Sequence, residues 1–122
     1  MPNSTANLAA GTADSGQYRQ MLPETSVGPV AAYFHVLGEP TRLQILNLLQ
    51  QGEHSVGGLA EAIGCSAANT SRHLSLMARH GLICRNTRGN LVFYRISDPH
   101  VRELCCRVCT HLTPGAACCQ TL

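Results

Sequence analysis

The stretch SVGGLAEAIGCSAANTSRHLSLMARHGLI, residues 55–83, decides the fold of this 122-residue chain. Ser55 is predicted to cap a short helix that ends at Gly64. Ser66 is predicted to cap a longer helix that ends at Gly81, with Leu74 and Met77 on its inner face. Two helices joined by so short a turn indicate a helix-turn-helix.

The residues before this stretch predict two more helices. An apolar helix over 27–37 is closed by Gly38, and Pro40 fits the first position of the next helix, which ends before Gly52. After the helix-turn-helix, strands are predicted over 82–86 and 91–97, with a turn at residues 88–90.

A fifth helix is predicted to follow the strands, with Asp98 as its cap and Pro99 at its first position, and to end near Leu112. The chain is therefore predicted to be mainly α-helical with a small β-hairpin, in the arrangement of a winged helix-turn-helix.

The length allows one small domain. We expect a flexible N-terminal arm over residues 1–25, one folded domain over 26–112 and a cysteine-containing flexible tail over 113–122. The N-terminal residues lack the pattern of a signal peptide, and no apolar stretch is long enough to span a bilayer, so a cytoplasmic protein is expected. No nucleophile or phosphate-loop motif is present, so no enzymatic activity is expected.

Charge is distributed unevenly along the chain. The formal net charge is +2, and all nine basic residues are arginines. The segment from Ala62 to Ser97 has five arginines and no acidic residue, whereas the rest of the chain has a net charge of −3. A positive segment that includes a helix-turn-helix indicates contact with the phosphates of double-stranded DNA.

The helix after Ser66 is predicted to enter the major groove. Asn69 and Arg72 suit hydrogen bonds to base edges, and Ala67 or Ala68 suits a thymine methyl group. Thr70, Ser71 and His73 are predicted to contact phosphates. Arg88 at the tip of the hairpin is predicted to lie over the DNA backbone or the adjacent minor groove. The full set predicted to contact DNA is Ser66, Ala67, Ala68, Asn69, Thr70, Ser71, Arg72, His73 and Arg88.

Three segments together resemble the ArsR/SmtB family of metal-responsive repressors, namely LGEPTRLQILNLL (37–49), the 55–83 stretch and RNTRGNLVFYRI (85–96). The resemblance covers about residues 27–112. It implies a homodimer formed through the first and fifth helices, binding to a palindromic operator, and release of that operator when an inducer binds. The family's Cys-x-Cys site on the third helix is absent, because Ser55 and Gly57 stand at its positions.

Seven cysteines are a high number for this length, and an odd number argues against a fully paired disulfide scaffold. Cys105, Cys106 and Cys109 are close together on the predicted fifth helix, where thiolates suit soft ions. Trivalent arsenic and antimony form two or three bonds to sulfur, so arsenite, methylarsenite or antimonite is the expected inducer. Arg102 and Arg107 are expected to lower thiol pKa values there.

The other cysteines have weaker assignments. Cys84, Cys118 and Cys119 are candidate accessory ligands, and Cys65 is assigned a structural role in the turn. Burial in an apolar helix face is the alternative interpretation for Cys105 and Cys109.

Other ligands remain open. Asp98, His100 and His111 have the spacing of the family's zinc site on the fifth helix, although Pro114 stands at the fourth ligand position. A sensor of Zn, Cd or Pb, a thiol redox sensor on the same fold, and a metal-buffering protein with incidental DNA affinity are the alternatives to a sensor of arsenic or antimony.

Overall fold

The computed structural model describes residues 19–117, which contain five α-helices and three strands. The helices are α1 (Val27–Leu37), α2 (Pro40–Leu49), α3 (Val56–Ile63), α4 (Ala67–Arg79) and α5 (Val101–Leu112). The strands are β1 (His54–Ser55), β2 (Ile83–Arg88) and β3 (Leu91–Ile96), and a 3-10 turn at Glu24–Ser26 precedes α1. Contacts within the chain divide it after Ala32 into two units, and the sheet and helices α2 to α5 belong to the second.

The caps of the helix-turn-helix are confirmed. The Ser55 hydroxyl accepts a hydrogen bond from the Gly58 amide at 3.0 Å, and the Ser66 hydroxyl accepts one from the Asn69 amide at 3.0 Å. Gly64 ends α3 with φ of +81°, a left-handed conformation that costs glycine little. These local interactions set where α3 ends and α4 begins.

The predicted start of the fifth helix is wrong. Helix α5 begins at Val101, and Asp98 lies before it. One Asp98 carboxylate oxygen accepts from the His100 amide at 2.7 Å, and the other accepts from the Tyr33 hydroxyl at 2.8 Å. Asp98 therefore ties the segment before α5 to α1 instead of capping the helix.

The predicted hairpin is confirmed, and its strands β2 and β3 pair in register from Ile83 with Ile96 to Arg88 with Leu91. The short strand β1, which the sequence did not predict, pairs with the other edge of β3, so the strand order is β1-β3-β2. The sheet anchors the hairpin to the segment that enters α3.

Helix α4 lies against a closely packed core. Leu74 and Met77 of α4, Leu59 of α3 and Ile45 of α2 are fully buried together. The opposite side of α4 is exposed to solvent, because these apolar positions occupy one stripe of the helix. No helix within residues 19–117 is long and apolar enough to cross a membrane.

Candidate DNA interface and thiol cluster

The N-terminal half of α4 presents small and polar side chains to solvent. Ser66, Ala67, Ala68, Ser71 and Arg72 are exposed. Asn69 and His73 are half-buried, so each still presents part of its side chain. An exposed face of short side chains beside an arginine allows close approach to base edges.

Thr70 is a correction to the predicted DNA-contact set. Its side chain is fully buried, and its hydroxyl donates a hydrogen bond to the Ser66 carbonyl at 2.8 Å. The position faces the core because Thr70 lies one turn before the buried Leu74. Thr70 therefore stabilises the first turn of α4 and is not placed to reach a phosphate.

Arg42 is a functional candidate that was not predicted from the sequence. Its side chain is buried, with 8% exposure, and its guanidinium donates to the Val36 carbonyl at 2.6 Å and the His35 carbonyl at 3.3 Å. A third contact, 3.1 Å long, joins Nη1 of Arg42 to Nδ1 of His73 on α4. One side chain thus joins the end of α1 to the candidate recognition helix.

A spacing signal marks Arg42 in the sequence. The buried residues of α2 are Arg42, Ile45, Leu46 and Leu49, which is the i, i+3, i+4, i+7 stripe of a helix face. An arginine within an apolar stripe indicates a buried charge that needs partners.

The hairpin arginine Arg88 is engaged within the protein. Its guanidinium pairs with the Glu53 carboxylate and lies 4.2 Å from the centre of the Phe93 ring. Glu53 also accepts a hydrogen bond from the Asn86 side chain at 3.3 Å. A phosphate bound by Arg88 would compete with the Glu53 carboxylate for the same guanidinium.

The three cysteines of α5 line one cleft. The cleft, with a volume of about 630 Å³, lies between α2 and α5 and includes Leu43 and Leu46 on its apolar wall. Its thiol-bearing side holds Cys105, Cys106 and Cys109. Cys105 also packs against the hydrophobic core, as the alternative interpretation of that residue anticipated.

The cysteines of α5 differ in chemical state. Cys105 is a free, half-buried thiol, whereas Cys106 and Cys109 are disulfide-bonded. Within residues 19–117, no group of three His, Cys, Asp or Glu side chains is assembled to hold a metal ion. Ligation by all three cysteines therefore requires reduction of Cys106 and Cys109 and rotation of side chains.

The expectation that arginines lower the thiol pKa is wrong for Cys105. Burial raises the pKa of the Cys105 thiol, because the thiolate loses hydration there. Arg107 pairs instead with Glu103, with 3.3 Å between the guanidinium and the carboxylate. Burial, followed by the hydrogen bond to Asp98, likewise raises the pKa of Tyr33, so its hydroxyl remains a donor.

The predicted zinc ligands do not meet within one chain. Asp98 is engaged by Tyr33 and by the His100 amide, ahead of α5, while His111 lies in the last turn of the helix. At a rise of about 1.5 Å per residue, His111 lies roughly 17 Å along the helix from His100, and Asp98 lies before His100. Such a site requires ligands from a second chain.

The remaining cysteines lie apart from this cluster or outside the described residues. Cys84 is a free thiol on β2 opposite Arg95, and it is not among the described residues that line the cleft. Cys65 is a free thiol in the turn between α3 and α4, where its amide donates to the Ala60 carbonyl at 3.1 Å. Cys118 and Cys119 lie outside the described residues.

The fold and the exposed α4 face define a winged helix-turn-helix DNA-binding regulator, and comparison with known proteins agrees. Residues 39–84 match the family described as "Bacterial regulatory protein, arsR family". The HTH-type transcriptional regulator KmtR of Mycobacterium tuberculosis is 38% identical over 92 residues, covering 75% of this chain and 69% of KmtR. The chain belongs to the ArsR family of transcriptional repressors.

Solved structures share the fold. The homodimeric winged helix-turn-helix DNA-binding domain Mb0332 of Mycobacterium bovis has a TM-score of 0.69 and 28% identity, over 80% of this chain and 91% of that one. The AntR antimony-specific transcriptional repressor has a TM-score of 0.66 and 32% identity, over 81% of this chain and 91% of that one. The relatives are transcriptional regulators, which agrees with the expectation that the chain is not an enzyme.

The Glu53–Arg88 pair generates a prediction for DNA affinity. We expect Glu53→Gln to tighten binding to a DNA fragment carrying the protein's own promoter by up to about fivefold, because an exposed ion pair is worth up to about 1 kcal/mol. Fluorescence anisotropy at low salt measures this affinity. Glu103→Gln is the matched control, since it changes the net charge equally and also removes the partner of an arginine. An equal gain from both variants would attribute the effect to net charge alone.

Burial of Cys105 generates a prediction for its titration. Alkylation of Cys105 in the reduced, metal-free protein, followed by peptide mass spectrometry against pH, is expected to show a higher midpoint than in urea-unfolded protein. Because the pKa is raised in the folded state, the stabilisation from burying the thiol is present at neutral pH and is lost as the pH rises through that pKa. A midpoint at or below the unfolded value would contradict the burial of this thiol.

Proposed function

We propose that this chain is a repressor that releases its operator when trivalent arsenic or antimony binds to cysteines of α5. The observation that carries the proposal is the set Cys105, Cys106 and Cys109 lining one cleft. Reduced thiols at positions one turn apart on a helix suit a pyramidal ion bonded to two or three sulfurs. The antimony specificity of the structural relative AntR supports the same class of inducer.

The chemistry of capture balances without any change in the oxidation state of the metalloid. Each As–OH or Sb–OH bond is replaced by a bond to sulfur, and the thiol proton leaves with the hydroxyl group as water. Cys105, which burial keeps protonated, supplies this proton itself. The apolar wall formed by Leu43 and Leu46 also leaves room for a methyl group on arsenic.

The DNA-binding unit is proposed to be a homodimer on a palindromic operator. Phe34 of α1 and Val108 and Leu112 of α5 are apolar yet 45–68% exposed in the single chain, as expected of residues that a second subunit covers. A dimer places two copies of α4 about one turn of DNA apart. The proposed contacts on α4 are Ser66, Ala67, Ala68, Asn69, Ser71, Arg72 and His73, joined by Arg88 of the hairpin.

Ligand binding on α5 would then be coupled to DNA binding through the dimer interface. Drawing cysteine side chains onto one ion changes the face of α5 that carries Val108 and Leu112. Coupling between two such sites is typically about 1–3 kcal/mol, which weakens DNA binding about 5- to 150-fold.

A thiol redox sensor is the second candidate, and the oxidised state of Cys106 and Cys109 favours it. In that case an oxidant would accept two electrons for each disulfide formed, and the resulting change in α5 would release the operator. The two candidates separate on the role of reductant: capture of a metalloid requires reduced thiols, whereas redox release is reversed by reductant.

Substitution of the α5 cysteines tests the proposal. With a phosphine reductant present, arsenite or antimonite is expected to release the promoter fragment from the unmodified protein, and Cys105→Ser and Cys106→Ser are expected to remain bound. Cys65→Ser is the matched control, since Cys65 is also a free, half-buried thiol but lies in the turn before α4. Titrations with Zn, Cd and Pb, and with peroxide without reductant, test the alternatives in the same assay.

The assignment of the inducer site would be overturned if arsenite or antimonite released the promoter fragment from both α5 variants as completely as from the unmodified protein. Release by peroxide alone, reversed by reductant, would identify the redox sensor.

A further inference from the structure

The contact between Arg42 and His73 determines which ring nitrogen of His73 carries a proton. The guanidinium of arginine has five N–H donors and no acceptor. Nη1 of Arg42 lies 3.1 Å from Nδ1 of His73, so Nδ1 must be the acceptor. The neutral imidazole then carries its hydrogen on Nε2, which remains available as a donor.

The same guanidinium is held rigidly by its other two contacts. Nε and Nη2 donate to the carbonyls of Val36 and His35 in the last turn of α1, where the His35 carbonyl also accepts from the Gly38 amide at 3.2 Å. The Arg42 amide also donates to the Glu39 carboxylate at 3.1 Å. A planar fork fixed at two points presents its third donor in one direction, so the position of the His73 ring is defined as well.

We propose that Arg42 is a positioning residue for DNA binding. It holds the His73 ring as the Nε2–H tautomer and in one orientation, so that His73 donates to a phosphate of the operator. The inference rests on the proposed contact between α4 and the major groove. Arg42 itself does not touch DNA, and it acts through His73.

Two substitutions of His73 distinguish the role of Nδ1 as an acceptor from the role of Nε2 as a donor. In His73→Asn, the side-chain oxygen replaces Nδ1 as acceptor for Arg42, and the donor at Nε2 is lost. In His73→Gln, the amide nitrogen replaces the donor at Nε2, and the acceptor for Arg42 is lost. Arg42→Lys keeps the charge but loses the fork that joins three acceptors.

The test is a double-mutant cycle of Arg42→Lys and His73→Asn on the affinity for a promoter fragment. A hydrogen bond to a charged group is worth about 1.5–3 kcal/mol, so each single variant is expected to bind at least about tenfold more weakly. In the His73→Asn background, Arg42→Lys is expected to cause little further loss, because the donor that Arg42 positions is already absent. Arg107→Lys on the exposed face of α5 is the control and is expected to bind normally.

Losses that multiply to within about twofold would overturn the proposal, because additivity indicates that the two residues act independently. Urea unfolding of each variant, and the affinity of each for antimonite, show whether a loss of DNA binding comes from unfolding.

If Arg42→Lys does not fold, the His73→Asn variant alone tests the proposal. His73→Asn is expected to keep the stability of the unmodified protein and to lose affinity for DNA. Unchanged affinity of folded His73→Asn would refute the proposal.

Discussion

The placement of α4 depends on one buried cation, Arg42. A charge removed from water is tolerated only where its donors meet acceptors, and Arg42 finds them in the carbonyls of His35 and Val36 and in the ring of His73. These partners belong to two different helices, so satisfying the arginine fixes α4 against the end of α1. Burial of Leu74 and Met77 holds α4 against the core but is not directional. The hydrogen bonds of Arg42 are directional, so they restrict how α4 lies against the end of α1.

The end of α1 is bonded in a second direction as well. Tyr33 donates to Asp98, which lies before α5. Residues 33–36 therefore contact both the segment that leads into α5 and Arg42, which in turn contacts α4. A ligand changes DNA affinity only by its difference in affinity between two arrangements. A change in the conformation of residues 33–36 would alter contacts with Arg42 beside α4 and with Asp98 before α5.

Much of the fold follows from local sequence signals. The features that were not predicted correctly depend on residues that are distant in the sequence. Ser55, Gly64 and Ser66 mark helix ends through contacts within three or four residues, so their roles were predictable. Asp98 has the local pattern of a cap, but its carboxylate is shared with Tyr33, 65 positions away. Strand β1 exists only because β3 pairs with it, and a two-residue strand has no pattern of its own.

In the candidate site, too, local spacing was predictable and contacts between distant residues were not. The spacing of Cys105, Cys106 and Cys109 placed them on one helix, while their different chemical states depend on burial and on neighbours that sequence spacing does not describe. Thr70 resembled its polar neighbours on α4, yet the roll of the helix that is set by Leu74 turns it inward. Arg42 was overlooked because its partners come from α1 and α4.

In the proposed repressor, binding at the thiols of α5 and binding of DNA by α4 form one coupled equilibrium. Coupling free energies between two binding sites are reciprocal. The most direct measurement is the affinity of the reduced protein for antimonite, determined with and without saturating promoter DNA. Antimonite is expected to bind more weakly in the DNA complex, by the same factor by which antimonite weakens DNA binding. Equal affinity for antimonite in both states would contradict this coupling.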